Sequence, residues 1–411
     1  MNVALSGLQH KLHHFILLQH GLWAAPWDFD SIVNAVYRQN AVPLSTNSAE
    51  FGECDELSKN NLPPGVTFSK SVQGGRLFTR DDITCFAPGS NSLIRSHRST
   101  VCCARESLKE FLPFFTEWLD MLRSKGGEGC FSCIGHSFGG IIIRELLYLL
   151  LVAPDVNGTE TELTNFVKST RQRLVESNII FQNFITIASP HCGVAGCLPT
   201  PLYQTAWMLA MTCAPSIREI LLKDSEALLS NRLIDEDHIT ALGMFRRRIL
   251  FANTQKDFLV GFTTSSLCFE DHVENGVNTM EAAPNSAPCA SAFENEDSAY
   301  SSVIHLENTR KSTPATSAQD PYVGVQQSCN EHEKGGLEGS ASANQNTPAA
   351  HTHQTPRDIA ARLRRELDWH LVALRYNKPI PAAHYSCLGW CPKSASEPGV
   401  VQRIAEEALM T

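Results

Sequence analysis

One hexapeptide restricts what this chain can fold into more than any other stretch. Gly135-His136-Ser137-Phe138-Gly139-Gly140 stands between a short apolar run at 130–134 and an apolar segment from 138 to about 152. A strand that turns into a helix within two residues drives its corner residue into a strained backbone conformation, and bulky neighbours would collide there. Read in this way, Ser137 projects its hydroxyl above a sheet edge, with Gly135 and Gly139 leaving room for the turn. The helix N-terminus behind it offers amide donors and a positive dipole end to a developing oxyanion. This is the G-x-S-x-G elbow of a serine nucleophile, and it requires a parallel α/β sheet to stand on.

The rest of the pattern agrees with such a sheet. Strands are predicted at 13–19, 82–88, 130–134, 181–188 and 248–253, helices at 28–39, 101–123 and 138–152, and a helical apolar spacing returns at 357–374, where 367–374 reads as helix or strand. Residues 40–80, mixed and rich in Ser, Asn, Pro and Gly, read as loop or hairpin. Short strands alternating with helices predict an α/β fold with a mainly parallel central sheet and helices on both faces. One segment breaks the pattern: 270–356 holds 12 acidic and 3 basic residues and few aliphatics. Such a composition cannot offset its ordering entropy by burial, so it is expected to be a disordered acidic insertion, with some order near 301–306. The expected organisation is therefore a first domain part at 12–269, the insertion at 270–356, and a second part of the same domain at 357–411.

Charge and cysteine content narrow the function. The chain carries 34 Lys plus Arg against 43 Asp plus Glu, a net charge of -9, and the surplus lies in the insertion. An extended phosphate-binding surface, and hence a nucleic-acid partner, is not expected. Near the start, the apolar run Phe15-Ile16-Leu17-Leu18 is shorter than a secretory signal needs. The apolar stretch at 141–153 is interrupted by Arg144 and Glu145 and is too short to span a bilayer. An intracellular, cytoplasmic protein is expected, with peripheral contact to membranes or lipid droplets left open. Its 14 cysteines are then expected to be reduced thiols. Cys130-x-x-Cys133 falls in an apolar strand without a second pair in register, so neither a metal nor another cofactor is expected.

A serine hydroxyl needs a base, and the base needs an orienting acid; on this architecture their order is serine, acid, histidine. Asp257 lies four residues past the strand that ends at Asn253, which suits the acid, whereas Asp235 and Asp237 suit helix caps or solvated loops. Later histidines are His272, His305, His332, His351, His353, His370 and His384, the first five within the insertion. His384, in a loop of small residues, is preferred over His370, which lies within the periodic pattern at 367–374. Asp257 and His384 are 127 residues apart, or 40 once the 87 of the insertion are set aside, room for one helix and one strand. The oxyanion donors are expected to be the amides of Phe138 and Leu22. His20, Gly21 and Trp23 around Leu22, together with His136 and His191, are expected to wall the site.

His20-Gly21-Leu22-Trp23, the hexapeptide at 135–140, Thr186-Ile-Ala-Ser-Pro-His191-Cys-Gly193 and Arg247-Arg-Ile-Leu-Phe-Ala-Asn253 with Asp257 occur in one order along the chain. In these motifs the chain resembles the putative serine esterase family of α/β-hydrolases, a domain of formerly unknown function that includes fungal lipase-like proteins. The resemblance covers roughly 12–262 and 357–390. It implies an α/β-hydrolase fold and an esterase or lipase acting on lipid esters such as acylglycerols or phospholipids, with Ser137, Asp257 and His384 as triad. The residues leave two other readings: a catalytically idle, hydrolase-like binding protein, and an acyltransferase that uses the same serine. The uncharged stretch at 202–213 is a candidate lid or acyl-chain wall, with core packing of Trp207, Leu209 and Met211 as the alternative.

Overall fold

Along the central strands, successive apolar residues divide between two cores, as a pleated strand buried on both faces requires. In strand β1 (Leu12–Gln19), Phe15 and Leu17 enter one core while Ile16 and Leu18 enter the other. The same alternation recurs in β6 (Ile179–Ile187), where Phe184 opposes Ile185 and Ile187, and in β7 (Arg247–Asn253), where Leu250 and Ala252 oppose Ile249 and Phe251. This computed structural model describes residues 12–39, 62–156, 161–195, 197–198, 200–254, 257–269, 304–306, 354–374, 383–388 and 398–411.

The sheet has nine strands in the order β2-β3-β4-β1-β5-β6-β7-β9-β8. Strands β2 (Thr67–Lys70) and β3 (Arg76–Arg80) form an antiparallel hairpin at one edge, the hairpin alternative for 40–80, and β3 pairs antiparallel with β4 (Ile83–Ala87). From there β4, β1, β5 (Glu128–His136), β6, β7 and β9 (Trp369–Leu374) run parallel. Strand β8 (Ile304–Leu306) adds antiparallel to β9 at the far edge. It falls within the segment expected to be disordered, the rest of which, apart from 354–356, lies outside the described residues. The architecture is that of an α/β hydrolase, with a mostly parallel sheet covered on both faces.

One face is covered by α2 (Thr100–Lys125), α3 (Phe138–Leu151) and α4 (Thr161–Glu176), which bring Phe111, Phe115, Leu119, Ile142 and Leu146 against Phe15, Phe131 and Phe184. The opposite face carries α1 (Asp30–Gln39) and α11 (Pro398–Leu409), with Ile32, Val33, Val36, Val400 and Ile404 packed on Ile16, Leu18 and Ile134. Between them in sequence lie α5 (Thr200–Thr212), α6 (Pro215–Ile220), α7 (Glu236–Gly243), α8 (Phe262–Ser266), α9 (Pro356–Glu366) and α10 (Ala383–Ser386). Helix α9 ends at Glu366 and the chain switches to strand β9 at Trp369, the strand alternative for 367–374.

Two features fix where a site can form. The carboxyl ends of six parallel strands share one sheet edge, so the loops after β1, β4, β5, β6, β7 and β9 converge there. Asn91, Ser107 and Gln19 are linked by buried hydrogen bonds beneath it (Asn91 Nδ2 to Ser107 Oγ, 2.8 Å; Ser107 Oγ to Gln19 Oε1, 2.7 Å), tying the loop after β4 to the end of β1.

Candidate active site

Ser137 stands between the last residue of β5 and the first of α3 with φ 54° and ψ -129°. A non-glycine residue in this region is strained, by roughly 1–3 kcal/mol. The packing around it explains why it stays there. The Ser137 amide donates to the carbonyl of Ile187 (2.8 Å), and Gly140 donates to the Ser137 carbonyl (3.1 Å). A Cβ at Gly135 would stand 2.5 Å from the Cα of Gly140, and one at Gly139 would enter the carbonyl of Gln19, so neither position accepts a side chain. A tight strand-to-helix turn with Ser137 at its corner is therefore present.

The first strand delivers the opposite wall. A Cβ at Gly21 would lie 2.8 Å from the Cβ of Ser137 and 3.1 Å from the Phe138 nitrogen, so only glycine lets this backbone approach the elbow. Among the described residues no protein acceptor takes the amide of Phe138 or of Leu22. His20 is fully buried, with Nδ1–H donating to the Gly21 carbonyl (3.2 Å). Burial pushes its pKa down to about 4. Trp23 has φ 56° and donates its amide to Ser96 Oγ (3.0 Å), while its indole, 45% exposed, meets the His97 ring edge-on. Trp23 therefore borders the opening, whereas His20 lies beneath it.

Asp257 and His384 meet. Nδ1 of His384 lies 3.0 Å from Oδ2 of Asp257, both side chains being nearly inaccessible. Since a carboxylate only accepts, Nδ1 carries the hydrogen and Nε2 is the nitrogen left to take a proton. The other bonds hold the acid ionised: Asn253 Nδ2 donates to Oδ2 (2.8 Å), and the amides of Leu259 and Val260 donate to Oδ1 (3.1 and 2.9 Å). Burial alone would raise the pKa of Asp257, but His384, the Val260 amide and Asn253 together lower it below the usual aspartate value. His370, the competing candidate, lies at the amino end of β9 opposite Ile249, away from this edge.

His136 joins His384 to the turn at Ser137. Its Nε2–H donates to the main-chain oxygen of His384 (2.8 Å), and the two rings lie 4.8 Å apart. His384 is thus packed against the residue preceding Ser137. No hydrogen bond links Ser137 Oγ to His384 Nε2 among the described residues, and bonds of this kind often tighten only when substrate is in place. His191 is fully buried and bonds the Thr186 hydroxyl (2.9 Å); burial holds its pKa well below the ordinary value. It belongs to the interior below the site rather than to its wall. Asp235 is the N-cap of α7, accepting the amide of His238 (2.9 Å), as the sequence suggested for a cap.

Two contributors were not legible beforehand as parts of the site. Asn253 holds the acid from four residues upstream, a spacing that could have signalled it; the Cys387 thiol, which donates to the His384 carbonyl (3.0 Å), follows the base by three. Cys130 and Cys133 are buried free thiols.

The family described as "Putative serine esterase (DUF676)" matches residues 113–269, which include Ser137 and Asp257. A Saccharomyces cerevisiae protein described as a putative lipase is 26% identical over 212 residues; the match spans 51% of this chain and only 29% of the relative's length. Among solved structures, the lin2722 gene product of Listeria innocua is 14% identical, with a TM-score of 0.28, over 62% of this chain and 77% of its own. One described as a putative cell surface hydrolase from Lactobacillus plantarum is 10% identical, with a TM-score of 0.26, over 60% and 69% of the two chains.

Proposed function

With residues 113–269 matching the serine esterase family, we propose that this chain is a serine carboxylester hydrolase acting on lipid esters. The observation that carries the proposal is the conjunction of a strained serine elbow with a buried histidine–aspartate pair at the same sheet edge. In this reading Ser137 Oγ attacks the ester carbonyl while His384 Nε2 takes its proton. Asp257 holds the imidazole in that tautomer and stabilises the cation that forms. The amides of Phe138 and Leu22 receive the oxyanion, and the proton returns from His384 to the departing alkoxide, leaving an acyl-serine that water hydrolyses.

A lipid rather than a small soluble ester is supported by the rim. Of the twelve large apolar side chains exposed among the described residues, ten follow the carboxyl ends of β1, β4, β6 and β7, among them Trp23, Trp27, Ile94, Trp207, Met208 and Phe258. Helix α5 has no charged residue and leaves Leu202, Trp207, Met208 and Met211 in solvent, while Tyr203, Ala206, Leu209 and Ala210 pack on the core. Exposed apolar side chains after these strand ends fit contact with an acyl chain or lipid surface. No helix among the described residues is long and apolar enough to cross a membrane, and peripheral contact through this rim is part of the proposal.

The test is labelling with a fluorophosphonate probe together with hydrolysis of short p-nitrophenyl esters, followed by a panel of acylglycerols and phospholipids. Ser137→Ala is expected to abolish labelling and to lower turnover at least ~10³-fold. A wild-type protein that neither labels nor hydrolyses any ester, or a Ser137→Ala variant with wild-type turnover, would remove the reading.

A further inference from the structure

We infer that His136 is the positioning residue for the general base: its imidazole, through one hydrogen bond to the main chain of His384, holds that histidine over the serine elbow. This rests on the esterase reading above and adds to it a role that the hexapeptide pattern does not specify.

The need for such a tether follows from how His384 is carried. It belongs to α10, a single helical turn, rather than to a strand or a long helix anchored over several turns. Two kinds of constraint act on it. Asp257 Oδ2 fixes the ring from the side-chain end at 3.0 Å. His136 fixes the backbone, its Nε2 lying 2.8 Å from the His384 oxygen, which also accepts from the Cys387 thiol. A ring bonded at one end and free at its Cα can swing about the bond to the carboxylate, whereas a ring held at both ends cannot. His136 closes β5 and immediately precedes Ser137, so the same bond sets base and nucleophile in one frame.

The chemistry of His136 suits the task. The ring is 1% exposed, and burial, followed by the nearby His384, pushes its pKa down to about 3. At neutral pH it therefore carries one hydrogen. The His384 carbonyl can only accept, so that hydrogen is on Nε2, and Nδ1 has no partner among the described residues. His384 and His20 face it as histidines and Asp257 as the one acid. A cationic donor at this position would stand against His384 as it takes up the serine proton, raising the cost of that step. A neutral N–H donor supplies the directional bond without the charge. The contact between the rings, 4.8 Å between centroids, leaves little space for a substitute that keeps the volume but lacks the donor to hold His384 in place.

The experiment compares His136→Leu, which removes the donor, with His136→Gln, whose amide N–H reaches a similar distance, on a soluble p-nitrophenyl ester. His136→Leu is expected to lower kcat about 10- to 100-fold with KM within about twofold, the scale on which a misplaced catalytic group acts. His136→Gln should recover most of the loss, which a merely space-filling role would not predict. Thermal unfolding of both variants accompanies the kinetics. Should His136→Leu not fold, nitrogen-15 spectra of the wild-type histidines decide: the inference requires the His136 ring to remain neutral with hydrogen on Nε2 at pH 5. Wild-type kcat in a folded His136→Leu, no recovery in His136→Gln, or hydrogen on Nδ1 would each overturn it. Failure of the wild type to label at Ser137 would remove the esterase reading itself, and the two failures are distinct.

Discussion

His384 and His238 are both buried imidazoles bonded to an aspartate, and they differ in what the second nitrogen meets. In His238, Nδ1 lies 2.7 Å from Asp235 Oδ1 and Nε2 lies 2.9 Å from Glu145 Oε2. Both partners only accept, so the ring carries two hydrogens and is a cation. It stacks 4.1 Å from Tyr148, while Arg232 clamps Glu145 through two bonds (2.6 and 3.0 Å). Burial lowers the pKa of His238, but the bonds to Asp235 and Glu145 more than offset this and raise it overall. Such a ring has no lone pair to offer; it locks α7 to α3, the helix behind the elbow. His384 has one carboxylate partner and an Nε2 without a bond among the described residues. The lesson is that an adjacent acid does not make a histidine a base. The proposed role of His384 needs, in addition, a nitrogen left free at the sheet edge.

The largest expected effect separates the two histidines by activity. His384→Ala should lose at least ~10³-fold in turnover, whereas His238→Leu, counted per molecule that labels with the fluorophosphonate probe, should stay within about threefold of wild type. Equal losses would break the comparison. In stability the order reverses. His238→Leu leaves Glu145 buried with one partner fewer and is expected to cost about 3 kcal/mol in urea unfolding, nearly all from Glu145, because Asp235 is half in solvent and screened. An unchanged unfolding midpoint would show that the cluster holds nothing together.

The smallest effect lies in pH. Because the folded pKa of His238 is raised, its stabilisation is complete below the unfolded value of about 6.5 and is lost as pH rises through the folded value. Unfolding free energy measured between pH 6 and 9 should therefore decline in the wild type. That decline should be absent in His238→Leu. A decline of the same size in the variant would assign it to another group.

Much of the fold was legible because its causes are local. The strands predicted at 13–19, 82–88, 130–134, 181–188 and 248–253 appear within a few residues of their observed limits, since each is a short apolar run bounded by polar or turn-forming residues. The elbow was legible for the same reason, its glycines and serine being contiguous. Helices α4 and α11 were less evident. Helix α4 has a polar outer surface and α11 a short apolar face that acquires meaning only against α1 and the sheet. In 357–374, Ile359, Leu363 and Leu367 keep a helical spacing that does not decide where the helix ends, and only pairing with β7 makes a strand from Trp369 onward.

The site divides in the same way. Ser137, Asp257 and His384 could be nominated from motif, chain order and spacing, yet the roles of Asn253, His136 and Cys387 depend on which atoms come within bonding distance. His191 illustrates the converse: its motif placed it near the site, and packing turned it inward to Thr186.

Local sequence dictates the corner at Ser137, the two-faced burial of the strands and the residue types available for acid–base work. These follow from steric limits and burial preferences acting over a few neighbouring residues. Packing in three dimensions is what brings His384 to Asp257, 127 residues away, and seals His238 between two carboxylates. Partners so far apart in the chain are chosen by the order in which strands pair and helices pack, and no local stretch of sequence carries that information.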